Sequence, residues 1–374
     1  MEFNFLVSFT EVFSYIGYIL LAVLVLLIMI TVHELGHYIA GKIFGFKINE
    51  FAIGFGPKIF KKTKKNGEIF SVRLLPIGGF CAFNGEDEDD ADPASFNNKK
   101  PWQRIIVLIS GALMNYILAV VCIIIMFSAY GQTALVPVKL TDDVNFPAEY
   151  SFQSKDVILE ADGKNVYMIS DLMNAVEDKN KGDIVTFTII RGGKEMEVPI
   201  MLRATTDFAN VEDVPLLYTA LGISYELDGK TSTVINGGLY STNVRLGFFS
   251  TIGRSFEYSF KLGGTIFTVL GQLFSGKLGA GALGGTVTTV ALTANAIKNG
   301  GFVYLLNMSA LIGVNLAVFN LLPVPALDGM RAVFTLIEWI RKKPISRKVE
   351  NIIHAVGLVL LLILAIILDL QHCF

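Results

Sequence analysis

LVLLIMITVHELGH, residues 24–37, joins an uncharged apolar run to two histidines and a glutamate without a break. Followed back, the run begins at Val12. Val12–Val32 therefore has the roughly 20 residues that a helix needs to cross a bilayer. It exceeds the apolar core of a secretory signal, has no basic segment before it, and runs into His33 where a cleavage site would need small residues. It reads as a retained membrane helix. Ile105–Ala129, Phe302–Leu322 and the shorter Ile352–Leu368 repeat the pattern, the third carrying Asn307, Asn315 and Asn320. The expected fold class is a polytopic α-helical membrane protein with about four transmembrane helices.

The composition agrees. Of 374 residues, 52% are hydrophobic and 17% charged, against about a quarter charged in soluble domains. That excludes a disordered chain, and a net charge of −2 offers no general attraction for nucleic acid. Cys81, Cys122 and Cys373 are scattered and form no CxxC pair, so neither a disulfide framework nor a cysteine metal site is expected.

Orientation follows from Lys and Arg beside the spans. Lys42, Lys47, Lys58, Lys61, Lys62, Lys64, Lys65, Lys99, Lys100 and Arg104 lie between the first two spans, and Arg341, Lys342, Lys343, Arg347 and Lys348 between the last two. Both segments are expected in the cytoplasm, which leaves both termini and the long middle region outside. The acidic run Glu86–Asp90 reads as a solvated loop. In the middle region, Val157–Leu159, Ile184–Ile190 and Glu197–Leu202 are short β-branched runs separated by Gly-containing turns, with a helical stretch near Ser170–Asp178. They predict a small α+β module over Thr141–Arg203, and 204–245 receives no fold. Phe249–Phe274 repeats aromatic residues at helical spacing, with Arg254, Glu257 and Lys261 on another face. It reads as an amphipathic helix at the membrane surface and a candidate gate. Gly276–Thr293 reads as a loop or broken helix.

His33-Glu34-Leu35-Gly36-His37 carries the chemistry. On a helix, positions i and i+4 share a face, so both imidazoles can hold one Zn²⁺ while Glu34 reaches a water beside it. A catalytic zinc needs a third protein ligand and an open position. Asp328 is a candidate, because Pro323 and Pro325 end the third span just before it. A bare loop carboxylate is the other reading. At ~1.5 Å rise per residue, the apolar runs before His33 and Asn320 travel similar distances, so both motifs reach similar depth. Asn315 and Asn320 either hold a substrate backbone or tie helices together.

HELGHYIAGKIFG, LLPIGGFCAFNGED (74–87), SGALMNYILAV (110–120) and GVNLAVFNLLPVPALDG (313–329) together resemble the site-2 protease family of intramembrane zinc metalloproteases. Their order resembles the bacterial RseP/RasP-like branch, which carries extracytoplasmic PDZ modules, and Phe152–Leu202 is similar to one PDZ domain. The resemblance implies that His33, His37 and Asp328 bind zinc and that Glu34 activates water. It further implies that Ile77, Gly78, Gly79 and Phe80 belong to a membrane-reentrant β-hairpin that binds substrate together with Asn315 and Asn320. The implied division is a membrane core over 1–130, a PDZ domain over 131–205, a connector over 206–300 and a second membrane core over 301–374. The implied partners are the lipid bilayer, single-pass membrane substrates such as an anti-sigma factor or remnant signal peptides, and an upstream site-1 protease, at a bacterial inner membrane. Two rivals remain open: a membrane metal transporter and an inactive PDZ-bearing adaptor. His354 and His372 read as interfacial.

Overall fold

The computed structural model of the chain describes residues 9–86, 90–142, 146–208, 213–228, 234–276 and 284–373. For 9–11, 77, 235, 274, 372 and 373 it describes the backbone alone. Residues 87–89 of the acidic run, 277–283 of the Gly-rich stretch and the side chains of Ile77 and His372 thus fall outside the described residues. The chain divides into two compact units, one formed by 1–126 with 255–374 and the other by 127–254.

The first unit opens with α1 (Phe9–Ile43). The helix stops at Gly45, whose φ of +66° is the left-handed conformation that closes a helix at low cost. An antiparallel hairpin follows, β1 (Ile48–Thr63) paired with β2 (Ile69–Phe83). Its foot is tied to α1 by Glu68, a buried carboxylate that accepts hydrogen bonds from Tyr38 (2.9 Å), Lys64 (2.7 Å) and Lys42. Burial pushes the Glu68 pKa up, but these bonds outweigh it and hold the carboxyl at about 2.

α2 (Pro101–Tyr130) then crosses against α1. The two backbones meet where Gly36 lies on the Ser110 carbonyl and the Gly111 Cα, a spacing that leaves no room for a Cβ at 36.

The second unit is a sheet with helices against it. In chain order it contains β3 (Gln132–Pro137), β4 (Val157–Ala161), β5 (Lys164–Asn165), α3 (Ile169–Val176), β6 (Ile184–Arg191) and β7 (Lys194–Met201). It continues through α4 (Val214–Leu221), β8 (Tyr225–Leu227), β9 (Val234–Gly237) and β10 (Leu239–Val244). The main sheet runs β10-β3-β4-β6-β7, with β5 paired to β4. Ile158, Leu172, Phe187, Ile189, Ile200 and Leu217 fill its core, and the fully buried Asp156 accepts from Nε and Nη2 of Arg191, each at 2.7 Å. The strands and the helix expected over 141–203 are present. The module also takes in 204–245, since α4 packs into the same core and β10 closes the sheet on β3, with Tyr240 opposite Val136.

The chain returns to the first unit along α5 (Phe248–Phe274). The aromatic face expected there is exposed at Phe256, Phe260 and Phe267; of the charged face, Glu257 is exposed and Arg254 is buried, and Ser259 is buried with its Oγ 2.7 Å from the Tyr116 hydroxyl of α2. α6 (Thr286–Leu321) breaks at Gly301 (φ +64°, ψ −144°), just before the apolar stretch expected as a span. Of the two readings for 286–293, loop or broken helix, the first two turns of α6 favour the helix, broken further on at Gly301. α7 (Asp328–Arg341) is short, and α8 (Arg347–Cys373) is the last apolar helix. The Asp369 carboxylate of α8 accepts the N–H groups of Val287 (3.1 Å) and Thr288 (2.9 Å), capping the start of α6. Among the described residues, four helices, α1, α2, α6 and α8, are long and apolar enough to cross a membrane.

Candidate metal centre

α1 brings His33 and His37 onto one face, nearly perpendicular, with ring centroids 4.7 Å apart. Both are more than nine-tenths buried. α6 ends at Leu321 because Pro323 and Pro325 cannot continue it. The loop then turns through Ala326 at φ +79°, a left-handed conformation that a residue with a Cβ rarely adopts. That turn delivers Asp328 at the start of α7. Its Oδ2 lies 2.9 Å from His33 Nε2 and 3.3 Å from His37 Nε2, and the two Nε2 atoms are 3.1 Å apart.

This donor set fits a divalent cation. His37 Nδ1 donates to the Val107 carbonyl at 2.8 Å, so the neutral ring turns its Nε2 lone pair inward. Two imidazole nitrogens and a carboxylate oxygen converging in a buried site repel one another unless a positive charge lies between them. Two histidines and an acid, leaving a position open, are a zinc set.

Glu34 stands on the neighbouring wall. A cavity of about 230 Å³ is lined by Ile30, His33, Glu34, Asn115, Asn320 and Asp328, with Leu316 and Ala326. The β2 strand passes beside it. The Cys81 N–H hydrogen-bonds the Glu34 carboxylate, and a Cβ on Gly79 would stand 3.6 Å from Glu34 Cγ. Burial pushes the Cys81 thiol well above its ordinary pKa, with the Glu34 charge adding to the effect, so it stays protonated and is no competing nucleophile.

The structure thus brings together His33, Glu34, His37, Asp328 and Asn320. Gly79 stands against Glu34. Gly78, at φ +93°, packs under the Phe55 ring, and Phe80 stacks on that ring at 6.2 Å. Ile77 contributes described backbone only. Asn315, five residues before Asn320, lies off the cavity wall, with a buried Oδ1 that has no partner among the described residues. Two residues carried no legible signal. Asn115 is a single amide in an apolar helix, and it lies fully buried beside His33. His354, expected at the interface, instead accepts the Ala326 N–H at 3.0 Å through Nδ1 and so pins the loop that carries Asp328.

Membrane-length helices around a histidine-histidine-aspartate centre with an adjacent glutamate define the class: a membrane metallohydrolase. The profile of peptidase family M50 matches residues 21–364. The chain is 33% identical over 359 residues to a protein of Clostridium perfringens whose name assigns it to the zinc metalloproteases, covering 95% of this chain and 98% of that one. Similarly named proteins of Clostridium acetobutylicum and Bartonella henselae are each 30% identical, the first over 94% of this chain and 96% of its own length, the second over 90% and 96%. The chain belongs to peptidase family M50, the site-2 proteases, and is a multi-pass membrane zinc metalloprotease.

Proposed function

We propose that the protein cleaves single-pass transmembrane substrates within the bilayer, near its cytoplasmic side, with His33, His37 and Asp328 as the zinc ligands and Glu34 as general base. The convergence of three ligand atoms within 4.8 Å of one another, in a cavity that also admits Glu34, carries this reading. Bound zinc supplies Lewis-acid activation of water and of the scissile carbonyl. Glu34 would take the proton of the attacking water as the C–O bond forms and return it to the leaving amide nitrogen as the C–N bond breaks.

A helical substrate must first expose its peptide groups. The β1–β2 hairpin is a two-stranded ladder beside Glu34, and its outer edge would hold an unwound segment through main-chain hydrogen bonds, as sheet edges hold extended peptides. Gly78 and Gly79 keep that approach close, with Ile77 and Phe80 in the same strand; Asn320 would hold the substrate backbone from the cavity wall, and Asn315, which lies off that wall, would tie helices together.

The basic segments support a cytoplasmic side for the hairpin and α7, with both termini and the 127–254 unit outside a bacterial inner membrane, where that unit would act as a PDZ-type filter. Anti-sigma factors or remnant signal peptides, trimmed by a site-1 protease, are the substrates this implies. Cleavage of a model single-pass helix in proteoliposomes tests the activity: wild type is expected to cut and Glu34→Gln to be inert. Equal cutting by both overturns the base role. Gly131 lies against Val244, so the ends of the filter unit meet and 132–243 can be excised. Excision is expected to admit untrimmed precursors, and their continued exclusion contradicts the filter.

A further inference from the structure

α2 turns Val107, Gly111 and Asn115 toward the paired histidines, and their four-residue spacing stacks them along one side of the helix. Each meets the imidazoles differently. The Val107 carbonyl accepts His37 Nδ1–H at 2.8 Å. Gly111 has no side chain, and a Cβ there would stand 2.5 Å from His37 Nε2. Asn115, with no exposed surface, places Nδ2 3.4 Å from His33 Nδ1, while its buried Oδ1 has no partner among the described residues.

As oriented, that amide sets a donor against the ring nitrogen that must itself carry the proton if Nε2 is to offer its lone pair inward. A half-turn about χ2 exchanges the two amide atoms within the same volume. Oδ1 then accepts from His33 Nδ1–H, the pairing that a proton on Nδ1 requires. We infer that Asn115 is the positioning residue of His33: its Oδ1 accepts the Nδ1–H and fixes the tautomer and ring plane in which Nε2 faces His37 and Asp328. One helix thereby orients both rings, His37 through a backbone carbonyl and His33 through a side-chain amide. The inference rests on the reading of His33, His37 and Asp328 as zinc ligands. It assigns Asn115 no contact with substrate.

Zn²⁺ dissociation constants, measured by chelator competition on the full-length protein in lipid, test it with Asn115→Leu, Asn115→Asp and His33→Ala beside wild type. Acceptors behind a metal-bound histidine are worth about 10- to 100-fold in metal affinity, so Asn115→Leu is expected to bind zinc that much more weakly. Asn115→Asp keeps an acceptor and removes the donor, and is expected to stay within about threefold of wild type on the same scale. Leu binding as tightly as wild type, or Asp binding as weakly as Leu, overturns the inference. Should the Leu variant not fold, Asp decides alone: near-wild-type affinity supports the acceptor role and a tenfold loss refutes it. His33→Ala separates the two possible failures. If it binds zinc like wild type, the ligand assignment fails and the inference falls with it. If it loses zinc while Asn115→Leu does not, the inference alone fails.

Discussion

Alanine at position 111 would press directly on the metal centre. Its Cβ would lie 2.5 Å from His37 Nε2, 2.7 Å from His37 Cε1 and 2.8 Å from His33 Cε1, where ordinary contact begins near 3.4 Å. The closest pair must therefore separate by about 0.9 Å, and metal–ligand distances tolerate about 0.2 Å. Either the rings rotate away from Asp328 or α2 withdraws from α1. Withdrawal costs the 1–3 kcal/mol typical of an overpacked core, and if that strain falls on the zinc-bound state, affinity drops by about 5- to 150-fold. Gly36→Ala is the control. It overpacks the same helix pair, its Cβ pressing first on the Ser110 carbonyl and the Gly111 Cα, backbone rather than imidazole. Zinc affinity by chelator competition and thermal unfolding of the zinc-free protein would be measured for both. Gly111→Ala is expected to lose more zinc affinity than Gly36→Ala at equal loss of thermal stability. Equal zinc affinity in Gly111→Ala and wild type would refute the claim that α2 closes on the imidazoles.

Two further outcomes follow from the same geometry. His354→Ala leaves the Ala326 N–H without its 3.0 Å acceptor in a loop already at φ +79°. The cost is about 1–3 kcal/mol, and cleavage of a single-pass substrate should fall by tenfold or more; full activity would free Asp328 from this clamp. Glu68 is held at about 2, below its ordinary value of 4.5. Its contribution to stability is therefore complete above pH 4.5 and lost as pH falls toward 2. Acid unfolding monitored between those values should be less pH-dependent in Glu68→Gln, and an unchanged pH dependence would contradict the role given to this cluster.

The parts of the site that sequence discloses are those fixed by local geometry. His33 and His37 share a face because helices repeat every 3.6 residues, and Asp328 is marked by the prolines that end α6. Asn115 and His354 gave no such signal. One amide in an apolar helix looks the same whether it ties helices together or holds a ligand, and His354 acts on a loop whose shape depends on Ala326. In the 127–254 unit, β10 was illegible because its pairing with β3 spans about a hundred residues and its alternation is mostly polar, so no hydrophobic run announces a strand. On α5 the charged residues follow the spacing of a surface helix, but Arg254 is buried, and Ser259 is covered by a partner, Tyr116, that only the folded chain supplies.

Where the metal sits decides the chemistry of this site. Zinc bound per chain, measured by elemental analysis of the purified protein in lipid, would be compared among wild type, His33→Ala, His37→Ala, Asp328→Ala and Glu34→Gln. One zinc per chain is predicted for wild type and Glu34→Gln, with zinc lost or strongly weakened in the other three. Zinc retained at the wild-type level in the His33, His37 and Asp328 variants would contradict the assignment of these three side chains as its ligands.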